Sequence, residues 1–397
     1  MKINLKGVST PPEEISSRVD SLLKNIDRSL SGYNRNSIIS RFNAGERVLP
    51  DSLFIDMYSR AYDIYRLTDK CVDPASAPLF DLWGFGFTSD SLPSAAKVRE
   101  VHSKCGMGRL KDDMASALSS DGSLRPEDLI ADSFLQDMPD LNYNAIAQGY
   151  SCDLVAEYLY SIGVKDMMVD IGEIFCDGLN PSRKPWTIGI DRPVDGNNRP
   201  GADLQEVFHV PAGPHGVVTS GNYRKFYVKD GRKYAHTIDP RTGYPVDHNL
   251  LSATVTAPDA TLADAYATYC MVIGLEEAKE FISSSPELEA CLIYDEDGEM
   301  KSWCSDGFIA ALPEAKILHT KMWSGHLHLS DDVWFRDLKF TPYYYSVRAE
   351  YLALLFERSI NNVLRPVSDG LLKSFFCFSM HFIFALFKRV ISWKKGK

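Results

Sequence analysis

The feature that most constrains the fold is a change of hydrophobic period near residue 167. Before it, apolar residues recur at three and four. Over residues 11–30, Val19, Leu22, Leu23, Ile26 and Leu30 fall at helical spacing. Glu13 and Glu14 stand in the first turn, where the helix dipole favours them. The same spacing predicts helices over 37–42, 51–70, 94–105 and 147–162, the last stopped by Gly163. From Met167 the apolar runs shorten, turn β-branched or aromatic, and lie between Gly, Pro and Asp clusters. Residues 167–171, 186–190, 206–210, 216–220, 225–228 and 252–257 read as strands. Helices return over 261–273 and 275–284. A strand pair around 291–294 and 300–304 follows, turned by residues 295–298. Helices first and then mostly adjacent strands predict an α+β chain rather than a doubly wound parallel sheet.

Charge separates the chain into two parts. The whole carries 43 basic and 53 acidic side chains, net −10, which argues against a protein that tracks nucleic-acid phosphates. Residues 313–397 hold 13 Lys and Arg against 7 Asp and Glu, together with 16 of the 45 aromatics. Residues 1–312 therefore form an acidic body of net −16, and 313–397 a basic, aromatic C-terminal extension. In the extension, the uncharged run 374–387 is 14 residues long, short of the roughly 20 a spanning helix needs. Phe375, Phe376, Phe378, Phe382 and Phe387, followed by Lys388 and Arg389, suit an interfacial helix at a membrane surface, or a buried terminal helix. Residues 1–7 have no apolar core and no cleavage site, so no export signal is expected. The eight cysteines include no close pair and read as buried thiols.

Four stretches hold more Gly, Asp and aromatic residues than packing requires. In 73–86, two prolines stiffen the backbone, and Trp83 or Phe85 either faces a flat ring or fills a buried loop. Residues 142–150 are a small-residue helix start whose free N–H groups suit phosphate. Residues 219–223 and 234–245 include the turn Asp239-Pro240-Arg241-Thr242-Gly243, with His236 three residues before Asp239. In 263–268, Asp264 and Thr268 share a helical face. They are hard oxygen donors suited to Mg²⁺, or a first-turn carboxylate and a hydroxyl bonded back to its own helix. Dinucleotide, Walker, His-Glu-x-x-His and Gly-x-Ser-x-Gly motifs are absent.

In this order the stretches resemble the ApbE-like FAD:protein FMN transferases. The matching motifs are a tyrosine turn with Ser-Arg-x-Asn (33–43), Pro-Leu-x-x-x-Trp-Gly-Phe-Gly (78–86) and Ile-Ala-Gln-Gly-Tyr (146–150). Thr-Ser-Gly-x-Tyr (219–223), His-x-Ile-Asp-Pro-x-Thr-Gly-x-Pro (236–245) and Ala-Asp-Ala-x-Ala-Thr (263–268) complete the set. The resemblance covers about 1–312 and implies a T-fold-like flavin transferase domain with an unmatched C-terminal extension. It implies Mg²⁺-dependent transfer of FMN from FAD to a threonine of a partner flavoprotein, with release of AMP. Acceptors of that class include subunits of sodium-pumping or electron-transfer membrane complexes.

Carried over by position, the metal would be held by Asp264, Thr268 and the backbone oxygen of Ala145. Asn142 and Gln148 would touch FAD. Leu82, Trp83 and Gly84 would line its flavin or adenine, with Ser37 and Thr237 nearby. His236 would act as general base, or orient its loop. The chain departs from the family at Asn142, usually Asp, and at Asp81, usually Asn. It has one glycine fewer before Glu173, and it lacks the family's leader and an early Gly-Thr segment. Family members are usually exported and anchored facing the periplasm. FAD hydrolysis to FMN and AMP, or FAD binding without turnover, are the alternative readings.

Overall fold

The computed structural model describes residues 1–85, 92–131, 138–194, 196, 197, 199–223, 226–229 and 232–313. The extension beyond Pro313, with its membrane-surface reading, lies outside the described residues. So does Gly86 of the tryptophan motif.

A short strand, β1 (Lys2–Ile3), precedes helices α1 (Pro12–Leu30), α2 (Ile38–Asn43), α3 (Ser52–Leu67), α4 (Ala77–Leu82), α5 (Ala95–His102) and α6 (Ala147–Ser161). Side chains fix where these helices begin. Ser37 accepts from the N–H of Ser40, Asp51 from Phe54 and Ser94 from Lys97, each satisfying a first-turn donor. Stretch 73–86 is more helical than its prolines predict. A 3₁₀ turn, Pro74–Ser76, runs directly into α4. Pro74 and Pro78 both fall in first-turn positions, where the missing N–H costs nothing.

The strand-rich half comprises β2 (Met167–Asp170), β3 (Ile174–Asp177), β4 (Thr187–Asp191), β5 (Leu204–His209), β6 (His215–Gly221), β7 (Phe226–Lys229), β8 (Arg232–Ala235), β9 (Ile238–Asp239), β10 (Tyr244–Pro245) and β11 (Leu250–Ala257). Helices α7 (Ala260–Ile273) and α8 (Leu275–Ser284) follow, then β12 (Glu289–Glu296), β13 (Glu299–Cys304) and α9 (Asp306–Ala310). Seven strands form one sheet in the order β1-β2-β3-β6-β11-β12-β13, every pairing antiparallel. Three two-stranded ribbons, β4-β5, β7-β8 and β9-β10, stand beside it. The α+β expectation holds. Strands β1, β3, β8, β9 and β10 have no strand signal in the sequence, because each is four residues or shorter and none alternates cleanly.

The period of two assigns the central strands to opposite faces. Val218, Ala253, Val255, Ala290 and Leu292 pack under α7 and α8. Val217, Cys291 and Ile293 pack on the other side against Trp186, Ile188, Phe208 and Phe308. A separate helical core gathers Phe42, Phe54, Tyr58, Tyr143 and Tyr150 from the first half.

The halves meet where α6, β6 and the start of α7 converge. A Cβ on Gly149 would stand 2.1 Å from the Ala260 carbonyl oxygen, and one on Gly216 would stand 2.3 Å from that of Asp259. No side chain fits at either position. Among the described residues no helix is long and apolar enough to cross a membrane.

Candidate active site

Asp264 sits in the second turn of α7, 5% exposed, among alanines. Its Oδ2 accepts from the backbone N–H of Gly149 at 3.1 Å. That donor belongs to the first turn of α6 and has no helical partner of its own. The bond leaves the Ala145 carbonyl without a backbone partner among the described residues. Burial pushes the Asp264 carboxyl well above its ordinary range, and the negative charges of Glu173 and Asp153 add to the shift. No lysine or arginine pairs with it among the described residues. One α-helical turn on, Thr268 Oγ1 lies 3.4 Å from Ser220 Oγ of β6, a long contact for two hydroxyls.

Asp153 of α6 locks this junction. Its carboxylate accepts from the N–H groups of Ala260 and Thr261, both at 2.8 Å, and from the Thr261 hydroxyl. Burial nonetheless raises its pKa to about 6, and does the same to Asp73, which accepts from Ala75 and Met107. Both carboxyls therefore bind protons in the folded chain, between about pH 4 and 6, that the unfolded chain has released. Their contribution to stability falls as pH rises through that window. Asp73→Asn cannot ionise and keeps an oxygen acceptor. It is expected to lose about 1–3 kcal/mol less stability than the parent between pH 4 and 7 in metal-free urea titrations. Parallel pH profiles would contradict the assignment.

A second group of residues gathers around the 234–245 loop. Ribbon β9-β10 is closed by the turn at Asp239, whose carboxylate takes a two-pronged bond from the Arg241 guanidinium, 3.0 Å to each oxygen. Thr237 Oγ1 donates to Asn222 Oδ1 at 2.7 Å. Trp83 Nε1 donates to the Gly243 carbonyl at 2.8 Å, and its ring stacks on Tyr234 and leans on Tyr244. His236, half-buried, meets the edge of Phe85.

The remaining expected site residues have local duties. Ser37 is fully buried. Its hydroxyl donates to the Ser31 carbonyl and caps α2, so it offers no surface to a ligand. Leu82 packs in the cluster that holds Trp83, and Gly84 closes α4 with φ +81°. Asn142 Oδ1 accepts from Asn144 N at 2.8 Å, the turn-closing bond that an aspartate there would also make. Gln148 is exposed and reaches the Ile171 carbonyl at 3.4 Å. It lies over Gly172, where a Cβ would fall 2.4 Å from Gln148 Nε2, so the shortened 170–173 turn and the α6 start fit closely.

Asp264, Thr268 and the Ala145-to-Gln148 segment thus share one junction, and His236 and Thr237 share a loop with Trp83 packed on it. Glu173 beside Asp264, and Asn222 under Thr237, were missed as individual site residues. Their partners, Asp264 on helix α7 and Thr237 between β8 and β9, are not near neighbours in the chain, and no local spacing announces them.

As a metal centre the junction is lean. Among the described residues no three His, Cys, Asp or Glu cluster around a point. The donors present are one carboxylate, one hydroxyl and one backbone carbonyl. All are hard oxygens, the set that suits a small divalent cation keeping much of its water. The buried carboxylate, with no lysine or arginine partner among the described residues, fits such a cation.

The chain matches the ApbE family over residues 1–292. It is 32% identical over 312 residues to the FAD:protein FMN transferase of Escherichia coli (strain K12), covering 76% of this chain and 83% of that protein. It is 29% identical over 318 residues to the FAD:protein FMN transferase of Vibrio cholerae, covering 77% and 88%. Among solved structures, it resembles the apo form of the Pseudomonas stutzeri flavinyl transferase ApbE with a TM-score of 0.63 at 27% identity, over 77% of this chain and 90% of that one. The flavin transferase ApbE of Vibrio cholerae superposes with a TM-score of 0.61 at 28% identity, over 77% and 92%. The mixed fold, the order of motifs and these relatives agree, and the chain belongs to the ApbE family.

Proposed function

We propose that residues 1–312 form an FAD:protein FMN transferase that uses Mg²⁺ and passes FMN to a threonine hydroxyl of an acceptor flavoprotein. The supporting observation is Asp264, a carboxylate buried near two others with, among the described residues, only a backbone N–H for a partner. A group so placed is costly unless a cation joins it. Asp264, Thr268 and the Ala145 carbonyl would hold Mg²⁺, which when bound neutralises charge on the diphosphate oxygens.

The chain's own residues then position and move a proton. The start of α6, with the Asn142 and Gln148 side chains beside it, would face the phosphates. Ala147 N–H already donates to the Tyr143 carbonyl and Gly149 N–H to Asp264, which leaves the Gln148 N–H for a phosphate oxygen. His236 Nδ1 or Nε2 takes the proton from the incoming threonine hydroxyl. The threonine oxygen bonds to the phosphorus on the FMN side, the diphosphate P–O bond breaks, and AMP departs with that electron pair. No nucleophile from this chain is required, in keeping with the missing nucleophile motifs.

Incubation with FAD, Mg²⁺ and a threonine-bearing acceptor should give a covalently fluorescent acceptor and one AMP per label. His236→Ala should slow labelling by about 10²- to 10⁴-fold with FAD still bound. Full-rate labelling by that variant would remove the base assignment. AMP release at the same rate without acceptor would make the protein a hydrolase, and FAD retention with neither product a binding protein.

A further inference from the structure

We infer that Asn222 is a positioning residue that sets His236 relative to the metal-side donors, an inference that rests on the base role just proposed. Strand β6 reaches both halves of the site. Its Ser220 touches Thr268, on the same face of α7 as Asp264. Two residues later, where β6 has ended at Gly221, the buried Asn222 side chain accepts from Thr237, the residue after His236. The route from Thr268 to His236 is therefore two side-chain contacts joined by the short backbone Ser220-Gly221-Asn222. The backbone of that link is itself fixed, because Asn222 N donates to the Leu251 carbonyl at 3.0 Å, beyond the last paired residue of β6 and β11.

The chemistry of the amide suits the task. Asn222 is 8% exposed, so its rotamer is held by packing. Its oxygen fixes the one proton of the Thr237 hydroxyl. That hydroxyl can then only accept, which removes it as a donor to a substrate phosphate. The Nδ2 hydrogens have no partner among the described residues. Trp83 holds the far end of the same loop through Gly243, and the Thr237 carbonyl accepts from Val246 N at 3.0 Å, so without Asn222 the loop keeps both of these anchors and loses the side-chain bond next to His236. A base displaced by about 1 Å costs up to 10²-fold in rate while substrate binding is little changed.

A double-mutant cycle tests this. Asn222→Ala is expected to lower kcat for labelling about 10- to 100-fold, with KM for FAD within about threefold. Asn222→Asp retains the acceptor oxygen and should recover most of that loss; it also serves if the alanine variant fails to fold. In a His236→Ala background, Asn222→Ala should add less than about twofold, because a positioning residue has nothing left to position. A full additional loss in that background, or no loss in either Asn222 variant, overturns the inference. If His236→Ala alone leaves the rate intact, it is the base assignment that fails, and the two failures are told apart.

Discussion

Asp264→Asn is expected to reduce FMN transfer by on the order of 10³-fold or more and at the same time to make the metal-free protein more stable. Both effects come from one observation. The carboxylate is buried, is pushed toward its protonated form by burial and by the neighbouring Glu173 and Asp153, and among the described residues has only the Gly149 N–H to offset this. The amide oxygen of asparagine can still accept that N–H, so the helix contact survives while the like-charge repulsion disappears. Removing a buried uncompensated charge in this way is worth about 1–3 kcal/mol. It also deletes the only carboxylate in the proposed Mg²⁺ set, and activity and stability then move in opposite directions.

Mg²⁺ should raise the unfolding midpoint of the parent by mass action and leave that of the variant unchanged. The Mg²⁺ effect in the parent should grow with pH, because the cation requires the carboxyl to lose its proton. Undiminished labelling by Asp264→Asn, or an equal Mg²⁺ shift in parent and variant, would rule out Asp264 as the ligand.

The parts legible in the sequence are those set by local period and local chemistry. The helix over 11–30 and the strand over 252–257 announce themselves by spacing, and both lie within a residue or two of the observed α1 and β11. The i, i+4 relation of Asp264 and Thr268 is likewise local. What determines the environment of Asp264 is not. Gly149 reads as one small residue in a helix start, and its purpose appears only when Ala260 lies against it. Trp83 reads in the sequence either as a ring platform or as the filling of a buried loop. The fold uses its N–H on Gly243 and its ring against Tyr234, a partner 151 residues away in the chain that no local pattern announces. Asn43 and Leu141 exchange two hydrogen bonds, amide to backbone in both directions at 2.9 Å, in the manner of a strand pair. The asparagine of the Ser-Arg-x-Asn motif thus tethers the α6 approach from 98 residues away.

Gly149→Ala tests that long-range logic most severely. In an isolated helix the change would stabilise by about 1 kcal/mol, since alanine is the better helix former. Here the new methyl would meet the Ala260 carbonyl oxygen at 2.1 Å, the carbonyl carbon at 2.6 Å and Thr261 N at 2.9 Å. All three are backbone atoms, so no rotamer change relieves the overlap, and α6 and α7 must separate. Separation stretches the three hydrogen bonds that Asp153 accepts from the start of α7 and the one from Gly149 to Asp264. Overpacking of this kind costs about 3 kcal/mol or more, which outweighs the propensity gain several-fold. The expected result is a marked fall in unfolding midpoint and a loss of labelling that persists at temperatures where the variant is still folded. Gly32→Ala is the matched control, because a Cβ there meets nothing within 4 Å. It should leave both quantities unchanged. A Gly149→Ala protein with the parent's midpoint and rate would mean that the α6–α7 contact does not hold Asp264 in place.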